Sequence, residues 1–373
     1  MADDFKYHID HAGGLVRPGA VVEARRARAA GRLDEDGLAK VTDEAIAEVA
    51  KVQRRIGLSA VTDGQYRRDT WASVLYDGVA GFDGVAGSDR PVGSPVADLL
   101  GEAGSLPDGP AVVAKLEATG RLAQAEAAYL LSVTQRSTGV ALPAAGFVAE
   151  RSFDPSRTPA AYLAPELVGA ELAAILRTEI QALAAEGVRH VQLANPGYAL
   201  AISRAGRDRL SAHGIDPDVL LDRMADADRA SIEALDTDDT FRVSLDITTG
   251  GAVDLTGGYD RDAVTRFFSR LPFYRVQVEH TAGADFPLSS VPSGRVLALG
   301  VVDVRAAATP PVEELLGRID AVTSVLDVDD IAISTNGSFA PAVDAPGQVS
   351  WTEQANRLQL VEMVARYYWG NEL

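Results

Sequence analysis

Hydrophobic and polar positions divide the chain into short apolar runs and longer amphipathic segments. Helical spacing of apolar residues predicts helices at residues 21–30, 34–56, 71–76, 122–135, 165–186, 204–212, 217–235, 261–269, 311–326 and 351–369. The apolar runs are of strand length and lie at residues 5–12, 58–62, 139–142, 189–193, 243–251, 274–279, 296–301 and 330–334. Strands therefore alternate with helices along the chain.

This alternation predicts an α/β protein with a parallel sheet, because the strands are apolar on both faces and helices would cover them. Eight strand–helix units are typical of a (βα)8 TIM barrel, and residues 21–56 add helices at its N-terminal end. A barrel of this kind can use all 373 residues, so we expect a single domain spanning 1–373. Residues 81–109 are rich in Gly, Ala, Pro, Ser and Asp without a sustained period, which indicates an inserted loop, either a lid or a disordered segment.

Composition narrows the possible partners. The formal net charge of −18 argues against nucleic acid and anionic membranes, which both require a cationic surface. The absence of cysteine excludes disulfides, thiolate nucleophiles and thiolate metal ligands. No signal-peptide layout and no apolar stretch of about 18 residues is present, so a cytoplasmic protein with a small-molecule substrate is expected. The sequence leaves open whether the chain forms a homo-oligomer.

Polar residues cluster where the predicted strands end, and active sites of such barrels lie at this carboxyl edge. Asp246 and Thr248 follow the fifth strand and, two positions apart, point to the same side. The candidate substrate-binding residues at or near this edge are His11, Arg17, Asp63, Gln65, Arg68, Asn195, Tyr198 and Asn336. For each of them a capping or ion-pairing role is the competing interpretation.

The candidate catalytic residues are Asp246 and Glu279, with Thr248 beside them. Two carboxylates in one pocket of low dielectric repel each other, so one of them can keep a proton near neutral pH and serve as an acid while the other serves as a base. The alternative is a structural salt bridge from one of them to Arg68 or His11. Arg17 and Arg68 could receive an anionic end of a substrate, or they could form structural ion pairs.

Several strings resemble, in one fixed order, the catalytic barrel of cobalamin-independent methionine synthase and its short single-barrel relatives. The similarity begins with HAGGLVRP and DEAIAEVAKVQRRIGLSAVTDGQYRRDTW and continues through VQLANP, LDITTGG, VQVEHT, LGVVD and ISTNGSF. It covers nearly the whole chain. The resemblance implies a (βα)8 barrel in which a zinc ion, held by His, Cys, Glu and Cys, activates a thiol that takes a methyl group from a folate.

The residues at the family's ligand positions differ. Asp246, Thr248 and Gly337 stand where the family has His, Cys and Cys, and Glu279 alone is retained. Changes in the amino-acid pocket accompany them: Gly14, Gln65 and Ala194 replace a serine and two acidic residues of the family. We therefore expect no zinc and no other site metal, and homocysteine is not the expected acceptor. A methyl-folate donor remains the cofactor-like substrate that the resemblance suggests.

Three hypotheses follow. The first is a methyltransferase-like enzyme that moves a methyl or alkyl group to a small nucleophile, with Asp246 or Glu279 accepting the proton. The second is a metal-free lyase, isomerase or hydrolase that uses the same two carboxylates without folate. The third is a non-catalytic small-molecule binder. Retention of acidic residues at the strand ends favours an enzyme.

Overall fold

The computed structural model describes residues 7–83, 92–106, 109–343, 345 and 349–370. Six parallel strands form one sheet in sequence order: β3 Gly139–Pro143, β4 His190–Ala194, β5 Arg242–Asp246, β6 Arg275–Glu279, β7 Val296–Val302 and β8 Ile331–Thr335. A separate antiparallel hairpin pairs β1 Val79–Phe82 with β2 Val112–Ala118. All six strands of the parallel sheet therefore end at the same edge.

Helices surround the sheet, and most of them connect consecutive strands. They are α1 Gly19–Ala29, α2 Glu35–Ile56, α3 Ser73–Gly78, α4 Pro95–Ala103, α5 Gln124–Val133, α6 Ala145–Ser152, α7 Pro165–Glu186, α8 Gly197–Ile202, α9 Arg204–Ala212, α10 Pro217–Ile232, α11 Arg261–Arg270, α12 Val312–Thr323 and α13 Trp351–Trp369. Short 3-10 turns lie at Thr158–Ala160, Leu288–Ser290 and Val328–Asp330. The α/β barrel fold that the sequence pattern predicts is confirmed.

The first two predicted strands are extended segments with isolated bridges rather than regular strands. Their backbone bonds connect the two edges of the sheet: the Asp10 N–H donates to the carbonyl of Ile333 in β8 (3.2 Å), and Ser59 N–H donates to Ile9 C=O (3.0 Å). Gly139 N–H of β3 then donates to Val61 C=O at 2.8 Å. Among the described residues, neither segment forms a continuous ladder. Residues 5 and 6 of the predicted first strand lie outside the described residues.

The insertion predicted at residues 81–109 contains regular structure that the sequence pattern did not indicate. The segment contains the end of β1 and the helix α4, in which Pro95 occupies the first turn and Leu99 and Leu100 are buried. A nine-residue helix is too short to show a sustained apolar period among so many small residues. Residues 84–91 and 107–108 of this prediction lie outside the described residues.

A continuous cluster of buried apolar side chains extends from Ile9 to Ala365 and fills the space between sheet and helices. Caps define several helix ends: Asp34 and Asp216 accept backbone N–H bonds at the starts of α2 and α10, and Ser350 and Glu353 form a capping box at α13. Among the described residues, no helix combines the length and apolarity that crossing a bilayer requires.

Candidate active site

A cavity of about 50 Å³ lies at the carboxyl ends of β3, β4 and β5. The strand residues that line it are Ala141, Leu142, Gln192, Ala194 and Asp246. Below it, Gln192 Nε2 donates to Gln277 Oε1 (3.2 Å), whose own amide donates to the Thr335 carbonyl (3.1 Å). These bonds tie three strands together and give the cavity a polar, fixed base.

Asp246 is the last residue of β5 and forms part of the cavity wall. Its Oδ1 accepts hydrogen bonds from the backbone N–H (2.9 Å) and hydroxyl (2.7 Å) of Thr248. Its Oδ2 accepts no bond from the part of the chain that the structure describes. Burial raises the pKa of Asp246 to about 6 against the opposing effect of the Thr248 bonds. One oxygen is thus oriented and the other is left for a ligand.

Glu279, at the end of β6, faces the turn that follows β5. Its Oε1 accepts from the backbone N–H (2.6 Å) and hydroxyl (2.5 Å) of Thr249, and its Oε2 accepts from Gly251 N–H at 3.3 Å. Burial raises the pKa of Glu279 to about 7, and the charge of Asp246 adds to this rise. Glu279 is not among the residues that line the cavity. The structure therefore places one predicted acid at the cavity and uses the other to hold the adjacent turn.

The turn after residues 58–62 brings Asp63 and Gln65 to the site. Asp63 Oδ1 accepts the Gln65 N–H (2.9 Å), and Gln65 adopts a φ of 59°, an uncommon value for a residue with a side chain. Gln65 lines the cavity, and with Asp63, His11 and Gln192 it also lines a smaller one of about 20 Å³ beside it. Burial raises the pKa of Asp63 to about 6.

The two arginines predicted to receive an anion are engaged within the protein. Arg68 donates from Nε (2.8 Å) and Nη2 (2.6 Å) to the two oxygens of buried Glu126, and from Nη1 to the Trp71 carbonyl. Arg17 Nη2 donates to the carbonyls of Gln65 (2.8 Å) and Arg68 (2.7 Å). Burial lowers the pKa of Arg17 to about 10. Arg68 reaches the cavity wall as half of an ion pair, and Arg17 supports the turn behind it.

Asn195 and Tyr198 turn away from the cavity toward an acid that the sequence did not single out. Asn195 Nδ2 (2.8 Å) and the Tyr198 hydroxyl (2.9 Å) both donate to Oδ2 of Asp228 in α10, and Gly146 N–H donates to its Oδ1 (2.6 Å). All four residues are buried. The Asn195 backbone N–H donates to the carbonyl of Asp246 at 2.8 Å. This network fixes the backbone on which the cavity wall is built.

Asn336 and His11 also make internal contacts. Asn336 Oδ1 accepts from Val304 N–H (3.0 Å), and its carbonyl accepts from Gly250 N–H (3.0 Å), so it connects the loops after β5 and β7. His11 Nε2 lies 3.3 Å from the Thr62 hydroxyl. Of the predicted site residues, the cavity brings together Gln65, Arg68, Asp246 and Thr248.

The sequence interpretation missed several residues of the cavity wall, notably Trp71, Ser105, Arg305 and Ser338. Trp71 donates from its indole nitrogen to the Gly104 carbonyl (2.9 Å) and thereby joins α4 to the site. Arg305 lies three residues beyond β7, at the same carboxyl edge as the other candidates. A search of the residues just after each predicted strand could have found Arg305, whereas the contribution of α4 depends on tertiary packing.

A wide groove of about 1070 Å³ adjoins the cavity and shares Ser105, Arg305 and Pro341 with it. Its walls include Arg25 and Arg28 of α1 and the acids Asp69 and Glu102. The cavity alone has room for only a few atoms, so a substrate with a larger body would extend into this groove.

The residues at the four implied zinc-ligand positions have a defined geometry here. A side chain at Gly337 would place its Cβ 2.4 Å from Gly250 Cα, so backbone packing leaves no space for one. Within the described residues, no group of three or more His, Cys, Asp or Glu side chains converges in a way that could hold a metal ion. The oxygens of Glu279 are directed to the turn at Thr249 and Gly251.

No protein-family model matches the chain. The Bacillus subtilis protein called uncharacterized protein YxjH is 24% identical over 370 residues, which cover 97% of this chain and 95% of that protein. A Listeria monocytogenes protein named as a candidate vitamin-B12-independent methionine synthase superimposes with a TM-score of 0.74 at 18% identity, covering 98% of both chains. A B12-independent methionine synthase from Shewanella, solved with selenomethionine, gives a TM-score of 0.71 at 18% identity over 97% of both chains. The chain therefore shares the fold of these methionine synthase-like proteins.

Proposed function

We propose that this chain is a methionine synthase-like barrel enzyme that transfers a methyl or alkyl group to a small-molecule nucleophile, with Asp246 as the proton acceptor. The observation that carries the proposal is the placement of Asp246. It lies at a strand end on the cavity wall, with one oxygen oriented by Thr248 and the other open to a ligand. A carboxylate in this arrangement can take a proton from a bound nucleophile as that nucleophile attacks.

The bond between the methyl carbon and the donor breaks and leaves its electron pair on the donor, while a new bond forms between that carbon and the nucleophile. The proton of the nucleophile passes to Asp246 Oδ2 and from there to the donor's leaving atom or to water. An N-methyl folate is the donor class that the sequence resemblance suggests. Gln65 and Gln192 on the same wall would orient the nucleophile by hydrogen bonds.

The residues at the implied ligand positions do not fit a zinc ion. Thr248 and Gly337 supply no thiolate or imidazole, and the backbone of Gly250 fills the space beside Gly337. Zinc sites of proteins use thiolate, imidazole and carboxylate ligands in a tetrahedral set. Of these ligand types, the four positions offer the carboxylates of Asp246 and Glu279, and both oxygens of Glu279 are hydrogen-bonded to the turn after β5.

A metal-free lyase, isomerase or hydrolase is the second candidate. It is favoured by the pKa values of Asp246 and Glu279, which burial raises toward neutral pH. A carboxyl group whose pKa lies near the working pH can both take up and release a proton. This candidate requires two carboxylates at the substrate. Both oxygens of Glu279 are bonded to the turn at Thr249 and Gly251. The second candidate is therefore less well supported than a methyl transfer that uses Asp246 alone.

The test combines binding and turnover. Calorimetry with methyl-tetrahydrofolate should detect binding, and incubation with a panel of small thiols, amines and alcohols should give a methylated product by mass spectrometry. We expect Asp246→Asn to slow product formation by about 10² or more, because general-base catalysis contributes this much. Wild-type activity should rise as pH increases through about 6, since the base must be ionised.

The matched control is Asp208→Asn, which changes an exposed aspartate of α9 and should leave the rate unchanged. Asn at position 246 keeps an oxygen for the Thr248 bonds, so loss of activity would not reflect misfolding. Full activity in Asp246→Asn, or failure of the wild type to bind the folate, would contradict this form of the proposal.

A further inference from the structure

Arg305 occupies the junction between the cavity and the groove. It follows β7 at the carboxyl edge of the sheet and lines both spaces, and its side chain is exposed. A Cβ added at Gly250, in the turn after β5, would come 3.8 Å from Arg305 Nε. The guanidinium thus lies next to the turn after β5, which is hydrogen-bonded to Glu279. Arg305 and Asp246 line the same cavity.

The loop that carries Arg305 is fixed by hydrogen bonds to half-buried Asp303 and to buried Arg357 and Asn336. Asp303 Oδ1 accepts the N–H groups of Arg305 (2.8 Å) and Ala306 (3.1 Å). Arg357 of α13, itself buried, donates to the carbonyls of Asp303 (3.1 Å) and Ala306 (2.5 Å). Asn336 accepts the N–H of the residue before Arg305 at 3.0 Å. Because the loop is held at four residues, its backbone does not have to be ordered when a ligand binds.

The guanidinium of Arg305 retains most of its donors. Nη2 donates to the Ser105 hydroxyl at 3.0 Å, and an arginine has five N–H donors in all. Among the described residues, no carboxylate lies within ion-pair distance of it, in contrast to Arg68, which Glu126 neutralises. A positive charge at a cavity mouth, oriented by a fixed loop and lacking an internal acid, is suited to an external anion.

We propose that Arg305 and Ser105 form a subsite for a carboxylate of the substrate, whose reacting end then lies in the cavity at Asp246. The planar guanidinium can donate two parallel hydrogen bonds to a carboxylate. The two acids of the groove wall are already paired, Asp69 with Arg25 and Glu102 with Arg209, so neither offsets the charge of Arg305. The subsite rests on the proposed function only in assigning the reacting end to Asp246.

Binding of small probes tests the subsite without a known substrate. Propionate, inorganic phosphate and ethylammonium chloride are titrated into the full chain at constant ionic strength and followed by calorimetry and thermal shift. We expect propionate to bind best. Arg305→Gln should weaken propionate binding by about tenfold or more, the loss typical of a charged hydrogen-bonded contact. Arg305→Lys should bind with intermediate affinity, because an ammonium lacks the bidentate geometry.

Arg261→Gln is the matched control. Arg261 is also an exposed arginine that donates to a serine hydroxyl (Ser289 Oγ, 2.9 Å), but it does not line the cavity, so its variant should bind propionate like the wild type. Asp246→Asn should also retain propionate binding, which separates failure of the subsite from failure of the proposed catalysis. The melting temperature of Arg305→Gln without probe should equal that of the wild type, since the side chain is exposed.

Equal propionate affinity in wild type and Arg305→Gln would overturn the subsite. The same holds for tighter binding of phosphate or ethylammonium than of propionate, and for a wild type that binds no propionate.

Discussion

Asp246 and Glu279 show how the immediate surroundings decide what a buried carboxyl group does. Both end parallel strands and both have raised pKa values because of burial. Asp246 keeps Oδ2 for a ligand, whereas Glu279 binds the N–H groups of Thr249 and Gly251 with its two oxygens. From the sequence they are an equivalent pair. The turn after β5 makes one a candidate base and the other a support.

The pH dependence of stability should reveal the support role of Glu279. Its folded-state pKa of about 7 lies above its ordinary value of 4.5, so the folded chain holds the proton more tightly than the unfolded chain. The contribution of this group to stability is therefore present at low pH and is lost as pH rises between about 4.5 and 7. Relative to wild type, Glu279→Gln should become more stable across this window, as measured by urea unfolding at a series of pH values. Exposed Glu48→Gln is the control, and a pH-independent difference for Glu279→Gln would refute the prediction.

At the scale of elements, the wall of the cavity depends on how α6, α8 and α10 pack behind it. Asp228 of α10 accepts bonds from the start of α6 and from the loop before α8, and that loop binds the Asp246 carbonyl. The helices α6 and α10 approach each other closely at Gly146, where an added Cβ would lie 2.4 Å from the Met224 carbonyl oxygen. The site geometry is thus set by helix contacts as well as by the sheet.

Two glycine-to-alanine substitutions test this close approach. Gly146→Ala should destabilise the protein by about 1–3 kcal/mol, because the methyl group meets backbone that has no space to move. Gly317→Ala, in the middle of α12 with nothing within 4 Å of the new Cβ, should stabilise it by about 0.5–1 kcal/mol through helix propensity. Chemical denaturation measures both. Similar effects of the two variants would show that the α6–α10 contact is not tight.

Across the whole molecule, the sequence pattern predicts regular elements well and side-chain partners poorly. The bounds of α7, α9 and α13 agree with the predicted helices because long apolar periods or end signals mark them. The helices α4, α6 and α8 were missed because they have nine residues or fewer and few such signals. The expectation that active-site residues lie at the carboxyl ends of the strands identified Asp246. It could not show that Glu126 neutralises Arg68, since the two residues are 58 positions apart in sequence.

The connection between the two edges of the sheet should be essential to the stability of the molecule. Ile9 is fully buried in the extended segment that bonds both to β8 and to residue 59. Ile9→Ala should cost about 2–5 kcal/mol of unfolding free energy, as deletion of a buried aliphatic side chain typically does. Leu163→Ala, at a leucine that is 82% exposed, should change it by less than about 0.5 kcal/mol. A small loss for Ile9→Ala would mean that this segment is dispensable.

The close contact between Gly250 and Gly337 limits the engineering of a metal site with thiolate ligands into this barrel. Exchanging side chains at 246 and 248 for imidazole and thiol is simple, but the fourth donor would have to occupy a volume that main-chain atoms already fill. The loop after β5 would first have to be rebuilt, and that loop rests on Glu279, the residue such a design would also need as a ligand.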